Sequence, residues 1–549
     1  RRVLVVLGTL VLLAAAVVAG LVWLSLPGGD LAAAIPGLSA PVAVTLDADG
    51  IPRIRAATEV DAAAALGFLH ARERMFQMEL MRRSASGELS ELFGPATLPL
   101  DRMMRTLGLR QRVVADLPRL PPDTRALLDA YARGVNAWIA LRGRFAAPEF
   151  IAFGAPRPWT AVDSLLWGKT MSLYLAGNWR VERARLVLDA IMPPATVDAL
   201  WPPAGGGQPE ARAADPALAR VAARLAAAIP TFPAPFTLPD TASNAWAVDG
   251  RHTATGAPLL AGDPHLGFGF PSIWYLVRID TPGHVLAGAT APGVPLVILG
   301  RNDHIAWTFT NNGADVQDLF VETPVGKDQY ATPDGPRPFI LREEHIRVRG
   351  APDEVLMVRE TRHGPVISDL VDPHGPILAL AAAELAPGDT AAVGLLALNR
   401  ADDVEAAGQA AAQITSPVQN LTVADRSKIA LFVTGRVPVR ASGDGARPVP
   451  GADGRYDWVG WASGRQLPHY VAPESGRLVN ANERVAPPDF PVFLARDGFD
   501  TWRADRIRVL LGKTDRHTVA DFAAMQTDVI DPAAEALLPR LMAVAVTDP

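Results

Sequence analysis

Apolar positions along the chain show three textures. From Val3 to Leu26 they are nearly continuous, broken only by Gly8, Thr9, Gly20 and Ser25. A run of about 24 residues exceeds a usual signal-peptide core and is long enough to span a bilayer. From residue 42 the pattern becomes periodic. Val42 to Leu46 alternates towards a turn at Asp49-Gly50 and Ile51 to Ile54 resumes, which predicts a hairpin. Asp61 to Met81 has a helical period through Leu66, Leu69, Phe76 and Leu80, with Gly87 as its stop. Thr124 to Leu141 places Leu127, Leu128, Tyr131, Val135, Trp138 and Ile139 on one stripe ahead of Gly143. A further helix is predicted over Val162 to Ile191, so the first part of the chain reads as mainly helical.

Gly205-Gly206-Gly207 opens an alanine- and proline-rich stretch that reaches Asp240 and has the composition of a linker. Beyond Thr241 the texture turns to short β-rich runs: Ala245 to Val248, Ile273 to Ile279, Val294 to Leu299, Ile305 to Thr310 and Ile429 to Val433. Gly and Pro punctuate them, predicting a largely antiparallel sheet system. The organisation is a helical half, a spacer and a sheet-rich half.

Composition narrows the classes. The 549 residues are 49% hydrophobic and 20% charged, enough for a sizeable core. A formal net charge of −6 supplies no basic field, which argues against nucleic acid as a partner. There is no cysteine, so disulfides, thiolate catalysis and zinc ribbons are excluded, while the compartment stays open. The apolar start sets the compartment instead. Arg1-Arg2 precedes it, a faint twin-arginine export signal. Ala32-Ala33-Ala34 offers a signal-peptidase site, so residues 1–28 read as a signal peptide or a membrane anchor. Either places the catalytic part outside the cytoplasm. The chain opens without methionine and stops at Asp548-Pro549, and reads as clipped at both ends.

Common hydrolase signatures are missing from the sequence. It holds no G-x-S-x-G elbow and no H-E-x-x-H helix, and Gly512-Lys513-Thr514 has Ile507 where a phosphate loop needs glycine. The ten histidines show no metal-ligand spacing. One serine stands out by position: Ser243-Asn244-Ala245-Trp246-Ala247-Val248 begins where the spacer ends and the sheet starts. Taken alone, it could be a solvated turn residue.

From residue 42 onward the chain resembles the penicillin-acylase family of N-terminal-nucleophile hydrolases. The resemblance is carried by the Ser243 run and by Gly50-Ile51-Pro52-Arg53-Ile54-Arg55-Ala56. His70 through Arg74, Gln77-Met78, Arg82-Arg83 to Gly94, and Asp263-Pro264-His265-Leu266 add to it. Further matches are Ile305 to Asn311, Val316-Gln317-Asp318, Pro417-Val418-Gln419-Asn420 and Pro448-Val449-Pro450-Gly451. It implies an α+β fold, a four-layer αββα sandwich with a helical light chain (29–204) wrapped on a sheet-rich heavy chain (243–549), and a spacer at 205–242. It also implies cleavage between Ala242 and Ser243. The freed α-amine then serves as base, since such amines titrate near pH 7.7–8.0 and a serine hydroxyl needs a base to attack.

The same resemblance assigns the oxyanion hole to the Asn311 backbone N–H and the Asn420 side chain, a pair of neutral donors suited to a developing oxyanion. Asn420 could equally be a sheet-end residue satisfying its own backbone. His265 is implied to orient the α-amine, and Arg440 to support the oxyanion asparagine, against the plainer reading of an ion pair. Glu182, Asp315, Asp318 and the Gln317 carbonyl match a structural calcium site, oxygen donors that suit a hard cation, with Asp425 as a further ligand. The alternative is a set of solvated or ion-paired acids. No redox cofactor is implied. Leu266 and Leu299 stand where penicillin G acylases carry two phenylalanines, which predicts an apolar acyl pocket favouring aliphatic over phenylacetyl groups. The implied activity is hydrolysis of N-acyl amides. N-acyl homoserine lactone hydrolysis in quorum quenching, or a non-catalytic membrane-anchored scaffold, are the alternatives.

Overall fold

The computed structural model describes residues 2–202, 215–228, 242–266 and 269–544. Two sheets facing each other form its centre. The larger has nine strands in the order Ala43–Leu46, Pro52–Arg55, Tyr275–Thr281, His284–Thr290, Leu299–Arg301, Ala306–Asn311, Gln419–Ala424, Ile429–Val433 and His469–Val471. The smaller has three, with Ala242–Val248 central between Arg477–Asn480 and Leu259–His265. They meet where Ala242–Val248 and Leu259–His265 lie on Ala306–Asn311. A Cβ on Gly262 would come within 2.0 Å of Thr308 Oγ1, so only glycine allows the sheets to approach this closely.

Helices cover both outer faces. Glu59–Ser86 and Pro122–Arg142 pack on the larger sheet, joining Leu66, Met78, Tyr131 and Trp138 to Val277, Trp307 and Leu421 in one core. Trp502–Leu511 and Val519–Gln526 cover the smaller sheet, where Ile507, Leu511 and Phe522 bury Trp246 and Val248. Helix, sheet, sheet, helix: this is the four-layer α+β sandwich that the resemblance implies. The hairpin and both amphipathic helices lie where their periodicity predicts, ending at Gly87 and Gly143.

Three expectations change. The helix over Val162 to Ile191 is two, Ala161–Ala176 and Trp179–Asp189, broken at Gly177 in the left-handed region (φ 66°). Left-handed geometry ends a helix and suits glycine. Val294 to Leu299 is no strand; only Leu299–Arg301 pairs, and Val294, Leu296, Ile298 and Leu299 line a cavity, which is why the run is apolar throughout. Within the stretch read as spacer, Pro216–Ala228 is a helix whose Leu218, Val221, Ala222 and Leu225 are buried beside Trp179 and Leu186. The glycine triplet and the spacer's last residues, 229–241, lie outside the described residues. The N-terminal helix, Arg2–Ser25, is exposed and long and apolar enough to cross a membrane.

Candidate active site

The strand Ala242–Val248 presents Ser243 with only 6% of its surface exposed. Its neighbour runs antiparallel in the register Ala242 to His265, Ser243 to Pro264 and Asn244 to Asp263. Alternation along these strands separates two environments. Ser243, Pro264 and Leu266 face an apolar cavity of ≈ 140 Å³, shared with Leu175, Leu299 and Phe309. Asn244, Asp263 and His265 face a second, more open cleft with Arg503.

Two residues that sequence reasoning missed grip the serine. The Ser243 N–H donates to Asn482 Oδ1 at 2.7 Å. Arg503 donates through Nη1 to the Ser243 carbonyl (2.8 Å) and Asn244 Oδ1 (2.8 Å), and through Nη2 to the Ala481 carbonyl (2.6 Å) and Asn482 Oδ1 (2.9 Å). Because Oδ1 accepts from both, the Asn482 amide is oriented, and its Nδ2 donates to the Asn311 carbonyl at 2.9 Å. Asn482 sits just past the end of Arg477–Asn480 with φ 74°, a conformation asparagine tolerates better than other side chains. Burial lowers the Arg503 pKa from its ordinary value, and Glu483 and Asp263 oppose that shift. The motif Asn480-Ala481-Asn482 after a short β run was the available signal, but nothing local tied it to a serine so far away in sequence.

The other assignments divide. Asn311 lines the Ser243 cavity, and its side chain donates to the Leu175 carbonyl at 2.9 Å, tying the strand to the helical half. Asn420 is fully buried one step further back. Its Nδ2 donates to Asn480 Oδ1 (3.0 Å), Thr310 Oγ1 (3.2 Å) and the Asn311 carbonyl (3.5 Å), and its Oδ1 accepts from Asn312. Both amide protons are engaged, so Asn420 supports the Asn311 and Asn480 region, and it is Asn482 that bonds Ser243. His265 lies in register with Ala242, but its ring turns away from the cavity to Asp263 Oδ2 (3.0 Å) and Asn244 Nδ2 (3.4 Å). That histidine contact is the first cause of Asp263's lowered pKa.

Arg440 is a correction. It does not reach Asn420; it binds Asp318 Oδ2 through Nε (2.8 Å) and Asp315 Oδ1 and Asp318 Oδ1 through Nη2 (2.8 Å each). These are the carboxylates read as calcium ligands. Glu182 Oε2 accepts from the Leu319 N–H at 3.0 Å, and the Gln317 carbonyl accepts from Asn178 Nδ2. Asp425 lies elsewhere, accepting from the Val404 N–H (3.1 Å) where a helix begins. No group of three His, Cys, Asp or Glu among the described residues is arranged to hold a metal ion. The donor set does not fit calcium as it stands.

A two-sheet sandwich flanked by helices, with a serine on a central strand at the cavity between layers, defines the N-terminal-nucleophile class of hydrolase folds. The sequence profile of the family described as Penicillin amidase matches residues 41–548, and the chain belongs to that family. It is 34% identical over 528 residues to Penicillin acylase 2 proenzyme of Pseudomonas sp. (strain SE83), covering 93% of this chain and 67% of that protein. It is equally 34% identical over 532 residues to the acyl-homoserine lactone acylase QuiP of Pseudomonas aeruginosa, covering 92% of this chain and 62% of that protein. The chain thus spans about two thirds of the length of these relatives. A thermostable penicillin G acylase from Alcaligenes faecalis aligns over 56% of each chain at 24% identity with a TM-score of 0.48.

Proposed function

We propose that this chain belongs to a self-processing acylase that hydrolyses N-acyl amides through an acyl-enzyme on Ser243. One observation carries the reading: Ser243 lines an apolar cavity, and its N–H is held at 2.7 Å by Asn482. Cutting the Ala242–Ser243 bond turns that N–H into an α-amine, already oriented by Asn482 Oδ1. The Arg503 guanidinium, fixed on the Ser243 carbonyl, disfavours protonation of a second cation beside it. The amine is thereby kept as the free base that takes the hydroxyl proton. The hydroxyl oxygen attacks the amide carbonyl, the leaving amine takes the proton, and water then hydrolyses the ester by the same route. The described hydrogen bonds use one of the two Asn482 Nδ2 protons, which leaves the second for the developing oxyanion, alongside the Asn311 backbone.

Leu175, Leu266, Ile298 and Leu299 give the cavity a mainly aliphatic lining, beside the aromatic Trp167, Trp274 and Phe309, and the leucines at 266 and 299 support straight-chain acyl groups over phenylacetyl. The equal similarity to a penicillin acylase and to an acyl-homoserine lactone acylase keeps both leaving amines in view. The apolar helix Arg2–Ser25 supports export or anchoring, with the enzyme outside the cytoplasm. The test is processing. Full-length protein should give two fragments on a denaturing gel, the larger beginning Ser-Asn-Ala-Trp, and Ser243→Ala should remain uncut and inactive. Recovery of an active, uncut wild-type chain would overturn the mechanism.

A further inference from the structure

The place where family resemblance implies calcium is occupied by a side chain. Arg440 ends the strand Arg436–Arg440 with its side chain 5% exposed. Nε and Nη2 engage both carboxylates, and Nη2 also donates to the Asp315 backbone carbonyl at 3.2 Å. Trp458 Nε1 also donates to Asp318 Oδ2. A calcium ion would need these oxygens at about 2.3–2.6 Å, yet Nη2 stands 2.8 Å from Oδ1 of both aspartates. Gly445 seals the cluster: a Cβ there would come within 2.6 Å of Arg440 Nη2 and 2.7 Å of both an Asp315 and an Asp318 oxygen, and its φ of 68° also favours glycine. Burial opposes the charge on Arg440, but Asp318 and Asp315 outweigh it and raise the guanidinium pKa.

The cluster joins the two halves of the molecule. Asn178, just past the Gly177 break, donates to Asp315 Oδ1 and the Gln317 carbonyl, and Glu182 in the following helix accepts from Leu319. We infer that Arg440 is the resident cation of this junction, taking calcium's place, so that the helical half is held on the sheet-rich half without a metal. A guanidinium is suited to it: it stays charged at any working pH and its planar fork meets two carboxylates at once.

Full-length wild-type protein, dialysed against millimolar calcium and then buffer, should carry well under one calcium per chain by elemental analysis. Its melting temperature should move by less than ~1 °C with excess chelator. Arg440→Ser should melt on the order of 5–10 °C lower, since removing one partner of a buried ion pair strands the other. Added calcium should recover part of that loss in the variant and leave wild type unchanged. One equivalent of calcium on wild type, a chelator-sensitive wild-type melt, an Arg440→Ser melt equal to wild type, or calcium failing to favour the variant over wild type would overturn the inference. If Arg440→Ser does not fold, the wild-type metal content and chelator arm decide it alone.

Discussion

Asn482 and Asn420 are both buried amides in the network around Ser243, and their hydrogen bonds predict opposite phenotypes. Asn482→Gly is the cleaner perturbation, because glycine accepts φ 74° where alanine would add about 1–2 kcal/mol of backbone strain. It removes the bond to Ser243 (2.7 Å), the bond to the Asn311 carbonyl (2.9 Å) and the second Nδ2 proton proposed above as an oxyanion donor. Loss of one oxyanion donor costs on the order of 10²–10³ in turnover, about 2.7–4 kcal/mol. Misplacement of the α-amine should add to that, so kcat per cut chain should fall at least about 100-fold. Asn420→Ala instead removes one bond each from Thr310 and Asn480, which keep their bond to one another, and takes the Oδ1 acceptor from Asn312. It should cost about 1–3 kcal/mol of stability for orphaned buried groups and change turnover by less than about tenfold. The assay is release of p-nitroaniline from octanoyl and phenylacetyl anilides, normalised to the processed fraction on a gel so that a cleavage defect is not counted as a chemical one. If processed Asn482→Gly keeps turnover within about threefold, or Asn420→Ala loses about 100-fold while folding normally, the assignment to Asn482 is wrong.

Other outcomes follow from single features of the structure. Leu299→Phe should shift the kcat/KM ratio towards phenylacetyl substrates, by about 0.5–1.5 kcal/mol of aromatic contact; wild type already preferring phenylacetyl, with no response to the substitution, would refute the aliphatic reading of the cavity. The helix Pro216–Ala228 buries Leu218, Val221 and Leu225 against Trp179 and Leu186, so the mature light chain should end beyond Ala228 and not at 204; intact-mass analysis ending near 204 would show that helix to be dispensable. His70 is buried between Tyr131 Oη (2.7 Å) and Thr290 Oγ1 (3.0 Å), and burial pushes its pKa down to about 3. The unfolded chain takes up a proton near pH 6.5 that the folded state refuses, so this contribution is whole above pH 6.5 and is lost as pH falls towards 3. Melting of wild type should therefore decline more steeply between pH 6.5 and 4 than that of His70→Gln, and parallel curves would contradict the neutral, buried histidine.

What could be read from the sequence follows the range of the forces involved. Helices such as Pro122–Arg142 announce themselves through one-dimensional periodicity and a glycine stop, and Ser243 through its place at a change of texture. The Gly177 break was hidden because the residues on both sides keep a helical period; the left-handed turn at Gly177 ends the helix, and Asn178 then bonds Asp315 and the Gln317 carbonyl. Val294 to Leu299 reads as a strand because a cavity wall and a buried strand select the same apolar residues.

The site residues test a harder limit. Arg440 and Arg503 are both arginines in the sheet-rich half, and the sequence gives no reason to prefer one beside a given asparagine. Their roles are set by which carboxylates or carbonyls the fold brings into reach. Arg440 meets two aspartates and becomes a buried counter-ion; Arg503 meets the Ser243 and Ala481 carbonyls and orients an amide. Period-two alternation does the same sorting for the nucleophile strand. Ser243 and Leu266 share one face with the apolar cavity, while Asn244 and His265 share the other, so His265 meets the Ser243 strand through its register with Ala242 and its contact to Asn244, which Arg503 also holds. A tripeptide cannot carry that information, because it depends on the register between strands, and the register is fixed by the burial of Trp246 and Val248 on the opposite side from the chemistry.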